Sequence, residues 1–477
     1  MGIPALCFTA SIAQLNDVQW MLGPNTSNIS FSASVPVNDS IGKWMWARDA
    51  NTAISDESGK LLFYTNGIYI ASKLSDGDSI LNGNGLNPCT FTTQYANQGI
   101  PIPQADLLLN KPGSERYFCL FHFSADNGVA YTLYTSLIDA YGNSGSGEVV
   151  SKNDTFYQGI TRTGGMAACK HANGRDWWII IASRNNNLYR KFLLTPDGIT
   201  DTLLQNIGPN YMGPLDNSYS RFSLDGSRYV TGAYRGLITA MDFDRCTGEF
   251  SNPISISNIN PPGTVSSSSS VELSPNGRFL YVPDRLGLNQ YDLASPNPQD
   301  SCIKVFECGC PDGAQLNMFS VAYDGKIYGC TWAGGFHFLH VINAPNEKGL
   351  NCDFVYGGQP TLSINSISIS NTANPRLGPL LGSGCDTLTT GLRHESIDKR
   401  QQPRIQPNPA DKAFYIEMPL QGNYRFELLN DNGQVVAQRE TYQVDIINVE
   451  TLSNGIYYLH VYEKMKKLSI SKLIVQH

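Results

Sequence analysis

One short unit recurs six times between Asp56 and Trp332, and it constrains the fold more than anything else in the chain: a turn with Gly, then a strand with an aromatic three to five residues later. The copies are Ser58–Tyr64, Pro112–Phe118, Asn173–Trp178, Asp225–Val230, Asn276–Tyr281 and Asp324–Tyr328. Their glycines, Gly59, Gly113, Gly174, Gly226, Gly277 and Gly325, stand 54, 61, 52, 51 and 48 residues apart. A second strand follows, as in Leu188–Leu194, Leu237–Phe243, Leu288–Leu293 and Phe336–Ile342. A period near fifty with four strand-sized segments per copy is the signature of a β-propeller. Such a blade has two apolar faces and can bury both only between neighbouring blades. The Gly permits the positive φ of the hairpin turn, and the aromatic fills the wedge between sheets. Val18–Leu22 and the strand pattern from Leu362 to Ser370 could share one further blade, closing the ring from the two chain ends. The expected fold class is all-β: a β-propeller of seven blades, with six or eight as alternatives, followed by a small antiparallel β-sandwich.

Composition agrees. At 477 residues the chain is too long for one ordinary core, so two domains are expected. Charged residues make up only 16%, against 44 Gly, 26 Pro and 24 Tyr, which suits a turn-rich β protein. The net charge of −7, with no long basic run, favours neither nucleic acid nor an anionic membrane surface. No apolar stretch approaches the ~20 residues of a membrane span. The expected division is 1–13 a truncated signal peptide, 14–382 the propeller, 383–402 a linker and 403–477 a tail domain.

In that tail, Pro407 and Pro409 cannot sit in a central strand, and they fence off the rest of the tail from the linker. Four short aromatic or β-branched runs come next: Phe414–Met418, Tyr424–Leu429, Val435–Gln438 and Ile456–Tyr462. Hairpin-turn residues separate them at Gln421–Asn423, Asp431–Gly433 and Asn454–Gly455. The segment resembles the type A C-terminal sorting domain of type IX secretion cargo. Pro407-Asn408-Pro409-Ala410, Leu429–Gly433, Leu452–Tyr457 and Lys472–Val475 carry the resemblance, in this order, at the end of the chain. It implies that an outer-membrane translocon reads the tail, and that the tail is then cleaved, with the mature protein released or attached to surface lipopolysaccharide. The sorting features would be Pro407, Asn408, Pro409, Gly433, Gly455, Tyr457, Lys472 and Leu473. The polar stretch Ser383–Gln402 would be an exposed linker suited to cleavage. The body, over most of Trp20 to Gly358, also resembles a family of secreted propellers from bacteria using this route. The motifs Asp56–Gly67, Lys170–Trp178, Phe243–Phe250, Ser274–Tyr281 and Val341–Cys352 carry that likeness, which implies a fold and an exported setting but no activity.

Export is consistent with the apolar Ile3–Ala13, which ends in small residues spaced as at a signal cleavage site. Of eleven cysteines, ten remain once Cys7 leaves with the signal, and all ten precede the tail. In an exported protein they read as disulfides. Zinc at Cys302, Cys308 and Cys310 lacks a second pair to complete a tetrahedral set.

Candidate chemistry is sparse. No nucleophile elbow, phosphate loop or HExxH spacing occurs. His337 and His340, three apart on a strand, point to opposite faces and cannot share a metal. His171 at a hairpin turn and His122 in an apolar strand read as structural. Asp76, Asp78, Asn82 and Asn84 form an oxygen-rich loop that could hold Ca²⁺ but lacks the closing Glu of an EF-hand; otherwise no cofactor is indicated. The carboxylates Asp49, Asp106, Asp216 and Glu272 could meet in the channel. By repeat alignment the polar residues nearest the channel mouth are Gln104, Asp106, Arg221 and Glu272, a candidate ligand site or a set of mutually paired channel polars. The reading is an exported cell-surface or secreted propeller that binds a glycan or protein without chemistry. The alternative is a propeller hydrolase or lyase acting on extracellular polysaccharide.

Overall fold

The structure, a computed structural model, describes residues 14–23, 27–33, 35–40, 45–75, 77–126, 129–211, 217–233, 237–257, 270–284, 287–307, 309, 315–332, 335–365, 367–386, 403–418, 422–430, 435–442, 444–463 and 466–477. The chain divides into two compact units, residues 1–389 and 390–477.

In the first unit the described strands form antiparallel meanders that succeed one another along the chain. The first has three strands, Gln19–Leu22, Ser27–Ser30 and Val37–Ser40. The next meanders have four strands each and open on Thr52–Ser55, Asp106–Asn110, Ala167–Lys170, Asn217–Phe222, Glu272–Leu273 and Leu316–Val321. The six repeat glycines sit at the first hairpin of these sheets, with φ of +87° at Gly59, +73° at Gly113 and Gly174, +72° at Gly226, +68° at Gly277 and +79° at Gly325. The side chains of Asn173, Asp225, Asn276 and Asp324 each accept the backbone N–H two residues on, which fixes the same tight turn four times.

The aromatic after each glycine packs between sheets: Phe63 against Phe118 at 5.8 Å, and Tyr189, Tyr229 and Phe250 about one another at 5.0 to 6.1 Å. The first meander meets the last. Trp20 and Phe31 lie 6.1 and 4.8 Å from Tyr328, inside one buried cluster that also takes in Leu273, Leu280 and Met318. Sequential meanders closed first to last are a β-propeller, in which each sheet buries its faces between two others.

The ring closes differently from the sequence expectation in one respect. Leu362 continues the last strand of the last meander, Phe354–Asn365. The residues set against the first meander are Ser368–Asn371, where Met21 N–H donates to Ser370 Oγ at 2.8 Å and Asn371 N–H to the Asn51 carbonyl at 2.6 Å. From there the chain runs on as a strap. Asn374 donates to the Leu224 carbonyl, Arg376 pairs with Asp17, Arg245 donates to the Gly378 carbonyl, and Leu380 N–H donates to the Ala172 carbonyl. A Cys246–Cys385 disulfide then ties the strap down. Residues 383–386 therefore belong to the strap, and the rest of the expected linker, 387–402, lies outside the described residues.

Of the expected disulfides Cys246–Cys385 is present, but among the described residues pairing does not extend to every cysteine. Cys119, Cys169, Cys330 and Cys352 are buried thiols, and burial pushes the first three up to about 12. Cys89 is also a free thiol, and its sulfur caps the short helix Thr90–Gln94. Cys119, Cys169, Cys330 and Cys352 fill core space as small apolar groups, which needs no oxidised partner. Cys7, Cys308 and Cys310 lie outside the described residues, as does the expected signal segment.

The tail unit is a small antiparallel sandwich. One sheet holds Arg404–Gln406, Ala413–Glu417 and Val444–Asn448; the other holds Val435–Tyr442, Asn423–Leu429, Gly455–Glu463 and Lys466–Val475 in that order. Between them lies a core that includes Phe414, Ile416, Phe426, Leu459 and Leu473.

Candidate functional site

The inner strands bring Gln104, Arg221 and Glu272 together around a residue that no repeat announces, Asn371 of the strap. Its amide is fully used: Nδ2 donates to the carbonyls of Asp106 at 3.0 Å and Met166 at 3.1 Å, and Oδ1 accepts from Gln104 Nε2 at 2.9 Å and Arg221 Nη1 at 3.1 Å. Gln104, at φ +51°, pairs its own amide with the Ser220 backbone, donating to its carbonyl at 3.0 Å and accepting its N–H at 2.7 Å. Glu272 accepts Arg221 Nε at 3.1 Å and the N–H groups of Leu273 at 2.8 Å and Val321 at 3.2 Å. Burial pushes its carboxyl up to about 7 against the pull of Arg221. With side chains only 9% and 3% exposed, Arg221 and Glu272 form a buried ion pair that ties three meanders together.

A cavity of about 60 Å³ opens beside this pair, lined by Arg221, Glu272, Ser220, Ser320, Asn371 and the Asp17–Arg376 pair. Asp17 was not among the residues the repeat alignment pointed to. It stands just ahead of the first meander, outside the repeat. Ligand pockets run to ~300 Å³ and above, so this cavity has room for waters and none for a sugar ring.

Asp106 contributes only its backbone. Its carboxyl turns away to Gly67, is wholly buried, and has no hydrogen-bond partner at either oxygen. Burial pushes it up to about 7. Asp49 is likewise pushed up to about 7 by burial and has Arg48 at 3.6 Å. Among the described residues no hydrogen bond or ion pair joins Asp49, Asp106 and Glu272 to one another, and Asp216 lies outside them.

One catalytic-looking relay is present and sealed. Ser136 Oγ lies 2.9 Å from His122 Nε2, and His122 Nδ1 lies 2.7 Å from Asn87 Oδ1, an arrangement that elsewhere activates a nucleophile. All three side chains are buried, burial lowers His122 to about 3, and Ser136 Oγ also accepts the Asn153 N–H at 3.1 Å. With no access to solvent, the relay is a core lock. His171 holds backbone at both ring nitrogens, to the Cys246 carbonyl and the Asn173 N–H, each at 3.1 Å. His337 is exposed and His340 buried, on opposite faces of one strand.

For calcium, Asp76 lies outside the described residues, and the Lys152 ammonium occupies the carbonyls of Asn82 at 3.0 Å and Asn84 at 2.6 Å. Among the described residues no cluster of His, Cys, Asp or Glu is grouped to hold a metal.

In the tail, the residues singled out in the sequence act as its joints. Asn408 Nδ2 donates to the Lys472 carbonyl at 2.8 Å, and Asn408 Oδ1 accepts the Ile474 N–H at 2.9 Å, so the Pro407–Pro409 segment clamps the last strand. Leu473 is buried, Lys472 is exposed, and Tyr457 is 7% exposed with its hydroxyl on the Ser453 carbonyl. Gly455 opens the strand Gly455–Glu463, and Gly433 lies outside the described residues.

Residues 404–476 match the secretion system C-terminal sorting domain. The chain is a cargo of type IX secretion, exported to the cell surface or extracellular space, and its tail engages that machinery. No helix among the described residues is long and apolar enough to cross a membrane. No curated protein matches the chain. Solved structures similar to it include a periplasmic gluconolactonase from Pseudomonas aeruginosa (11% identity, TM-score 0.41, covering 73% of this chain and 99% of the other). A functionally unknown protein from Desulfotomaculum acetoxidans is similar at 11% identity and TM-score 0.39, covering 74% of this chain and 98% of the other. Hydrazine synthase from Kuenenia stuttgartiensis is similar at 10% identity and TM-score 0.37, covering 72% and 99%.

Proposed function

We propose that the exported propeller is a non-catalytic binding module for an extracellular glycan or protein. The observation that carries this reading is the saturated channel. Arg221, Glu272, Gln104 and Asn371 are bonded to one another and to backbone, and the strap covers a cavity of about 60 Å³. Hydrolysis of a polysaccharide needs two carboxyl groups flanking a bound sugar with room for water or a covalent intermediate. Asp17 and Glu272 both line the cavity, but each is held by its own arginine. A ligand would therefore meet the propeller on its outer surface.

The test uses the full chain on a glycan array, with saccharide release measured in parallel. The expected result is binding without release, unchanged in Glu272→Gln. Release of sugar that disappears in Glu272→Gln or Asp17→Asn would overturn the reading in favour of a hydrolase or lyase.

A further inference from the structure

The tail domain has two outer sheet faces, and their chemistry differs. On the three-stranded sheet, Tyr415 stands directly opposite Ile446, and Glu417 opposite Val444. Tyr415, Val444 and Ile446 are 51%, 49% and 53% exposed, while their strand neighbours Phe414, Ile416 and Ile447 fill the core. Gln406 is paired with Tyr415 and Arg404 with Glu417, so the apolar strip has a polar rim of one amide, one cation and one anion. On the four-stranded sheet the chemistry is charged: Arg425 pairs with Glu427 at 3.4 Å and lies over the Tyr462 ring at 4.5 Å. The other exposed large apolar residues among the described part of the tail, Val435, Val436, Tyr442 and Ile456, sit at the first two or the last positions of their strands.

The residues that carry the sorting-domain likeness do not form this strip. Asn408 is bonded into the last strand, Leu473 is in the core and Tyr457 is nearly covered. They build the domain, and a receptor reads what a domain displays. An aromatic flanked by β-branched residues inside a polar rim is the composition of an interface centre.

We propose that Tyr415, Val444 and Ile446 form the face by which the export machinery holds the tail, and that the partner protein presents an uncharged apolar surface to it. The sorting role of residues 404–476 supplies the occupant, because a protein of that machinery must cover part of this domain during export.

The test is export of the full chain carrying Tyr415→Lys with Ile446→Lys, in a bacterium that uses this route. Surface protein should fall on the order of tenfold or more, the loss typical of a disrupted interface anchor. Melting of the purified variant should be unchanged, because both sites are exposed. Arg425→Gln with Glu427→Gln, on the other sheet, should export normally. Normal export of the lysine variant, or equal loss from the Arg425 and Glu427 variant, overturns the proposal. Should the lysine variant misfold, a photoreactive phenylalanine at position 415 decides the matter. An adduct with a machinery protein that position 462 does not give supports the face; no adduct, or equal adducts from both, rejects it.

Discussion

Asp106 shows how a single residue sets a condition on the whole propeller. Its buried carboxyl has no partner, so the fold favours the protonated form and raises it from 3.8 to about 7. A raised carboxyl makes the native state hold a proton that the unfolded chain has released. Its stabilising contribution is therefore complete below about pH 4 and is lost as pH rises toward 7, by at most ~1.4 kcal/mol per pH unit. Glu272 and Asp49 act in the same sense, while His122, buried neutral, opposes them below its ordinary value of 6.5. The clean measurement is the difference between Asp106→Asn and the parent. The variant's melting temperature relative to the parent should rise from pH 5 to about pH 7 and level off above it; a difference independent of pH would show that Asp106 does not titrate in this window. The residue-level site was only partly legible in the sequence. Gln104, Arg221 and Glu272 sit on or beside inner strands and emerge from repeat alignment. Asn371 and Asp17 belong to no repeat, and the repeat does not say that the Asp106 carboxyl turns to Gly67.

At the scale of elements, the repeat was readable because its turn has a local cause. A Gly at positive φ and a capping Asn or Asp just before it leave a mark in any sequence. These glycines are nevertheless not equivalent. A Cβ on Gly226 would stand 2.6 Å from Cys169 Sγ and 2.8 Å from Arg245 Cδ, whereas one on Gly325 would meet nothing within 4 Å. Gly325→Ala should therefore cost about 1 kcal/mol, the strain of a left-handed alanine. Gly226→Ala should cost about 2 kcal/mol more, the overpacking term. Equal losses in denaturant melts would mean that φ alone sets the requirement. The strap was not legible, since residues 371–386 have neither periodicity nor repeat and are placed by long-range bonds. Its disulfide spans 139 residues. Replacing Cys246 and Cys385 with serine should lower stability by about 2–5 kcal/mol. Reducing agent should then leave the variant's melting temperature unchanged while lowering that of the parent. A parent that ignores reductant would show that the noncovalent contacts of the strap already suffice.

At the scale of the molecule, the chain joins a cargo to an address. The address was legible because its fold concentrates turns and joints in a short stretch at the C-terminus, and the cargo because its blades repeat. No ligand for the propeller was legible, since the channel residues Gln104, Arg221 and Glu272 are consumed by the architecture. The most direct test of the account is removal of Lys472–His477. This takes Leu473 and Val475 out of the tail core and frees Asn408 from both of its bonds to the last strand, without touching the propeller unit. The truncated protein should stay inside the cell, with the propeller transition in its thermal melt at the temperature of the full chain. Truncated protein reaching the cell surface in normal amounts would contradict it.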